Sequence, residues 1–176
     1  MRANIVILLL LASFAIAWRL VPHDWNITPM AALALFAGAR LRQPLAGMAL
    51  ALVAMFASDL VLGFYPGFEW VYAGMLAAVV VGSSLKGRSL TWFAGGAVVT
   101  SLLFFALSNL GVWLSGTLYP LTATGLLACF TAALPFLLKS LVGNLLFTGL
   151  FYAVFTASDA RSRVADGVSA SGQAAR

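Results

Sequence analysis

From Ala3 to Phe155 the chain is a series of long apolar runs, most of them bracketed by arginine or lysine. Ala3–Trp18 lies between Arg2 and Arg19, Thr28–Ala39 stops at Arg40 and Arg42, and Pro44–Phe64 carries only Asp59. Trp70–Leu85 runs into Lys86 and Arg88, Leu90–Leu114 holds no charge at all, and Leu121–Phe155 is broken only by Pro135 and Lys139. A helix that crosses a bilayer takes about 20 apolar residues, with roughly 17–25 the usual range. Composition points the same way. The chain is 62% hydrophobic and 9% charged, where water-soluble domains are about 45–50% apolar and about 25% charged. So few charges cannot coat a soluble surface.

The same figures exclude other classes. One cysteine has no partner for a disulfide within the chain, and disordered chains are poor in apolar residues. The net charge of +5 reads as basic loops that set orientation rather than as a nucleic-acid surface. The expected fold is an all-α integral membrane protein with about six transmembrane helices. Its spans fall near 3–19, 27–41, 44–64, 69–85, 89–114 and 139–157, within one membrane domain, 1–157. Pro135 and Lys139 divide the last apolar stretch, so Leu121–Leu134 is expected to dip into the bilayer without crossing it, before the last helix. Residues 158–176, rich in Ser, Ala, Gly and charge, read as a disordered cytoplasmic tail.

Placing both termini in the cytoplasm puts Arg2, Arg40, Arg42, Lys86, Arg88, Arg161, Arg163 and Arg176 inside, and leaves only Arg19 and Lys139 outside. This is a positive-inside pattern. Arg2, the apolar core and Ala15-Ile16-Ala17 also imitate a cleaved signal peptide, but the run is as long as a span.

Signals for chemistry are few. Gly82-Ser83-Ser84-Leu85-Lys86-Gly87-Arg88-Ser89 has the glycine spacing of a phosphate loop, with Arg88 in the place of the lysine and a membrane helix where a strand is required. It reads as a basic turn. His23 is the sole histidine, and there is no paired zinc motif and no Gly-x-Ser-x-Gly elbow. The expectation is a binding protein and not an enzyme. A lipid-modifying enzyme would need His23 to converge with Asp59 or Glu69.

Polar and aromatic residues gather on the expected outer side. The first loop offers His23, Asp24, Trp25 and Asn26, and the second offers Tyr65, Glu69 and Trp70. The third offers Asn109, Trp113 and Tyr119, while Lys139 and Asn144 sit near the outer end of the last span. Asp59 is placed about one turn inside the membrane; an intramembrane carboxylate is a functional candidate, with pairing to Lys139 or helix capping as the alternatives. Interfacial belts explain single Trp and Tyr residues, and Asn109 and Asn144 could instead join helices. Together these residues suggest an outward-facing pocket under aromatic loops for a flat ligand with a few polar groups.

Thr28-Pro29-Met30-Ala31-Ala32-Leu33-Ala34-Leu35-Phe36-Ala37-Gly38-Ala39 and Leu134-Pro135-Phe136-Leu137-Leu138-Lys139-Ser140-Leu141-Val142-Gly143-Asn144 resemble the second helix, and the start of the sixth, in S components of energy-coupling-factor vitamin transporters. Length, helix number and the outer site resemble that family too, most of all its solitary cobalamin-type members. The resemblance implies a subunit in the bacterial cytoplasmic (inner) membrane that binds a vitamin, cobalamin first. It also implies a partnership with an energy-coupling membrane subunit and its ATPases, met by small residues such as Ser13 with Ala17 or Ala34 with Gly38. Cobalamin would be transported ligand, with no intrinsic cofactor. His23 is the first candidate for its cobalt and Cys129 the second, imidazole and thiolate being suitable donors. The alternative is a non-transporting polytopic protein that serves as a structural or assembly partner through its Gly/Ala faces.

Overall fold

A computed structural model describes the backbone of residues 2–22 and 26–174, with side chains for 4–22, 26–162 and 164. Six helices follow one another: α1 Arg2–Leu20, α2 Met30–Arg40, α3 Pro44–Leu62, α4 Phe68–Ser83, α5 Leu90–Leu114 and α6 Ala123–Ala174. No strand occurs among the described residues. Among the described residues three segments are long and apolar enough to cross a membrane: α3, α5 and the Ala123–Ser162 part of α6. Apolar side chains such as Leu10, Val53, Val61, Leu102 and Leu146 face outward, while Ser58, Asp59, Thr100, Ser101, Asn144 and Thr148 are buried. This inverts the water-soluble pattern and suits lipid surroundings.

Helix ends follow local chemistry. Pro44 occupies the first turn of α3, where a missing N–H costs nothing. Gly63 and Gly67, at φ 89° and 84°, bound the five-residue turn from α3 to α4; such values are strained for any residue with a Cβ.

The centre of the bundle is α2. Nine of its 11 residues are buried, as expected of a helix that is apolar all round. Glycines allow its neighbours to close on it. A Cβ at Gly82 of α4 would collide with the Leu35 carbonyl of α2, and one at Gly38 would collide with the Val79 carbonyl of α4. Phe36 of α2 stacks on Phe93 of α5 and Phe155 of α6, with centroids 4.6 and 5.4 Å away. The Ala34/Gly38 pair is thus consumed by packing inside the chain, whereas Ser13 and Ala17 remain exposed on α1.

Two expectations are corrected at the C-terminal end. Pro135 does not divide the last stretch: residues 123–134 are the first turns of α6, with Pro135 inside the helix. Proline removes one i→i−4 bond there, a loss that membrane helices tolerate where neighbouring groups compensate. Nor does the helix stop before the tail; it runs on to Ala174. Extending an existing helix costs far less than nucleating one. The first tail residues are also tied down, since Arg40 pairs with Asp159 at 2.8 Å and lies 4.5 Å above the Phe155 ring. At 1.5 Å per residue, the 40 residues of Ala123–Ser162 span roughly 60 Å, about twice a bilayer's apolar thickness. Part of α6 therefore lies outside a perpendicular crossing.

The close approach of α2 and α4 is testable. Gly82→Ala is expected to destabilise the protein by at least about 1–3 kcal/mol through overpacking. Gly95→Ala, on the open side of α5 with nothing within 4 Å, is expected to be neutral or stabilising by up to about 1 kcal/mol. Thermal unfolding of both variants in the same detergent measures the contrast.

Candidate functional site

The α1–α2 connection, through Asn26 and Thr28, and the α3–α4 turn, through Tyr65, meet Ser108 and Asn109 of α5 and Ser140 and Asn144 of α6 around one space. That space is a cavity of about 340 Å³. It lies at the N-terminus of the short, buried α2, and its lining includes Thr28, Met30 and Ala31 there with Phe104 of α5 and Phe136 of α6. Met55 and Met75 join Met30 in the lining, giving adaptable thioether walls.

The α1–α2 connection is held over this space by two contacts. The Trp18 indole donates to the Ile27 carbonyl at 2.8 Å. Gly143 of α6 lets the same residue come close, since a Cβ there would lie 3.0 Å from Ile27 Cα. Asn26 takes a left-handed φ of 66°, a conformation asparagine tolerates better than most residues, and lines the cavity.

One wall is ionic. Arg19, at the end of α1, lines the cavity and pairs with Asp59 of α3, Nη2 to Oδ1 at 2.9 Å. Its Nη1 donates to Ser58 Oγ and lies 3.5 Å from Met55 Sδ. Asp59 is fully buried behind the guanidinium, which is itself 14% exposed, and also accepts the Tyr72 hydroxyl at 2.9 Å. Tyr65, in the α3–α4 turn, faces the same cavity. Burial first, and the Asp59 charge second, push its phenol up from the ordinary value against the opposing pull of Arg19. It stays a neutral hydrogen-bonding group.

Asn144 of α6 also lines the cavity. Its Nδ2 reaches Ala97 O and Thr100 Oγ1 at 2.9 Å and Ser101 Oγ at 3.1 Å, all on α5. The Ala97 carbonyl can only accept, which fixes the orientation of the amide. Asn144 Oδ1 is then buried with no hydrogen-bond partner in the protein. Asn109, by contrast, bonds its own helix, Nδ2 to Phe105 O at 2.8 Å.

Of the residues expected from sequence, Asn26, Tyr65, Asn109 and Asn144 line the cavity and Asp59 backs it. Others lie apart from it. Glu69 is exposed in the first turn of α4, where a carboxylate suits the helix dipole. The Trp70 ring packs against Gly111 of α5. Trp113 Nε1 donates to the Pro120 carbonyl at 3.0 Å and closes the α5–α6 connection, in which the half-buried Tyr119 also lies. Lys139 is exposed on α6, and Asp59 pairs with Arg19 rather than with it. Cys129 is buried between α5 and α6 with its Sγ 3.5 Å from the Asn109 carbonyl, and is not part of the cavity lining. His23, Asp24 and Trp25 lie outside the described residues. Among the described residues no three His, Cys, Asp or Glu side chains converge as a metal site.

Arg19, Thr28, Ser108 and Ser140 line the cavity without having been singled out by the sequence. For Arg19 a signal existed: it breaks the charge asymmetry of the loops, and Asp59 is the only charge in the apolar run Pro44–Phe64. With charges this scarce in lipid, each calls for the other.

Residues 1–166 match one family model, described as a family of unknown function. The chain belongs to DUF6580. No curated protein and no solved structure matches this DUF6580 chain.

The ion pair yields a prediction. Asp59→Ala leaves the Arg19 charge without its partner and is expected to cost about 3–5 kcal/mol, whereas Arg19→Met combined with Asp59→Leu, which removes both charges, is expected to regain most of that loss. Thermal unfolding of the two proteins in detergent compares them. A single variant as stable as the unaltered protein would show that the pair does not hold α1 to α3.

Proposed function

We propose that this protein is a substrate-binding membrane subunit that serves vitamin uptake by binding and not by catalysis. In this reading the bundle sits in the bacterial cytoplasmic membrane with both termini inside, the short α2 is enclosed by the other five helices, and the cavity opens outward. The supporting observation is the cavity itself. It is a pocket of about 340 Å³ lined by thioether, aromatic and amide groups and containing a buried acceptor with no partner. A protein whose only task is helix packing has no use for such a space. Charge agrees with the orientation: the opposite end of the bundle carries Arg40, Arg42, Lys86 and Arg88.

The likeness to S components of energy-coupling-factor transporters supplies the partner, a coupling membrane subunit with ATPases. Ser13 and Ala17, exposed on α1, offer it a close-packing face. Cobalamin is the first vitamin to test. The cavity is at the low end of the roughly 300–1,000 Å³ of small-molecule sites, so a corrinoid would have to displace the 63–67 turn or protrude between the connections.

Purification of the full chain in mild detergent from cells grown in rich medium, followed by mass spectrometry of the released small molecules, tests this. A stoichiometric vitamin is expected, and a corrinoid would also show in the absorption spectrum. An empty protein that no vitamin stabilises against heat would overturn the reading in favour of a structural or assembly partner.

A further inference from the structure

The polar groups of the cavity are few enough to specify what they need. Arg19 carries the only formal charge among the described lining residues. Its contacts, to Met55, Ser58 and Asp59, all go to α3: the first two are hydrogen bonds from Nη1, and the third is an ion pair at Nη2, so the fork is not saturated by the protein. Asp59 stands behind it, fully buried and outside the lining. The cavity therefore meets the cation, while the carboxylate fixes the orientation of its fork. The N-terminus of α2 adds to this pole. Met30 and Ala31 lie in the lining, and Pro29 in the N-cap position supplies no side-chain hydrogen bond. Orphan N–H groups and the positive end of a helix dipole favour an anion. Asn144 makes the complementary demand. Its Nδ2 is committed to α5 and its residue is 1% exposed, so Oδ1 is an acceptor without a partner in the protein, on a residue that lines the cavity.

We propose that the cavity takes a compact organic monoanion, a carboxylate held by Arg19 and the N-terminus of α2, which also carries an N–H or O–H group that donates to Asn144. This inference rests on the substrate-binding reading above and narrows it. The volume accommodates a ligand the size of a bicyclic aromatic acid, with Met30, Met55, Met75, Phe104 and Phe136 against its apolar body. A bidentate bond from arginine to a carboxylate is stronger than one to a neutral amide, and a buried acceptor without a donor penalises any ligand that lacks one.

Three matched probes isolate the two demands: indolepropionate, its primary amide, and its N-methyl derivative. Calorimetric titration and thermal unfolding of the detergent-purified full chain are expected to show the acid binding at least about tenfold more tightly than either analogue. The variant with Arg19→Met and Asp59→Leu is expected to lose the preference for acid over amide and keep that for N–H over N-methyl; Asn144→Ala is expected to do the reverse. Should the double variant not fold, Arg19→Lys retains the charge without the planar fork and is expected to weaken acid binding alone. An amide that binds as well as the acid, or three probes that all fail to bind, would overturn the inference. A neutral vitamin or a corrinoid found bound, with no preference for acid, would do so too while leaving the substrate-binding reading intact. Acid preference in a protein whose cells show no vitamin uptake would leave the inference standing and remove the transport reading.

Discussion

A helix of 11 residues at the centre of the bundle governs the rest of this structure. At 1.5 Å per residue α2 is roughly 16 Å long, about half the apolar thickness of a bilayer. A helix this short and apolar all round has to be enclosed by protein. Helices α3, α4, α5 and α6 do so, and the glycines of α2 and α4 set how closely they can approach. Because α2 stops short, its neighbours extend past its N-terminus, and the space they enclose is the cavity. Site and fold thus have one cause.

The same geometry explains why polar groups can be kept there. Asp59, Ser58 and Tyr72 come together where α1, α3 and α4 pass the end of α2, and Arg19 closes the group from the other side. A charged pair in an apolar interior is expensive to desolvate, and a hydrophobic pair of similar size often serves stability as well or better. Its retention here argues for a role in presenting the guanidinium to the cavity. Asn144 fits the same argument elsewhere in the lining: its amide ties α6 to α5, but a threonine or serine could make such a tie without leaving a carbonyl unpaired.

Much of the scaffold was legible in the sequence because charge is so rare. The runs 44–64 and 89–114 differ from α3 and α5 by two residues or fewer at each end, since Pro44 and the Lys86–Ser89 turn mark real boundaries. Pro135 misled because a proline is a local signal, while the continuity of α6 is decided by α5 alongside it, through pairs such as Phe105 with Phe130. The end of α6 was hidden for a related reason: composition reports the propensity of an isolated segment, not the low cost of extending a helix already formed.

The candidate site was only half legible, and its two halves differ in kind. Asn26, Tyr65, Asn109 and Asn144 were found because polar residues beside apolar runs are conspicuous. Trp70 and Trp113 were conspicuous in the same way, yet the first fills the notch at Gly111 and the second fastens the α5–α6 connection. An aromatic side chain near a membrane surface has a large apolar face and a polar edge, and either a ligand or a neighbouring helix can satisfy both. Sequence position does not distinguish these. Arg19 was missed for the opposite reason, since it looked like one more flanking charge. Its importance lies in depth and direction, which depend on where α3 brings Asp59. A residue's place beside a span can be read from the chain; the side to which it turns is set by the partner that the fold provides.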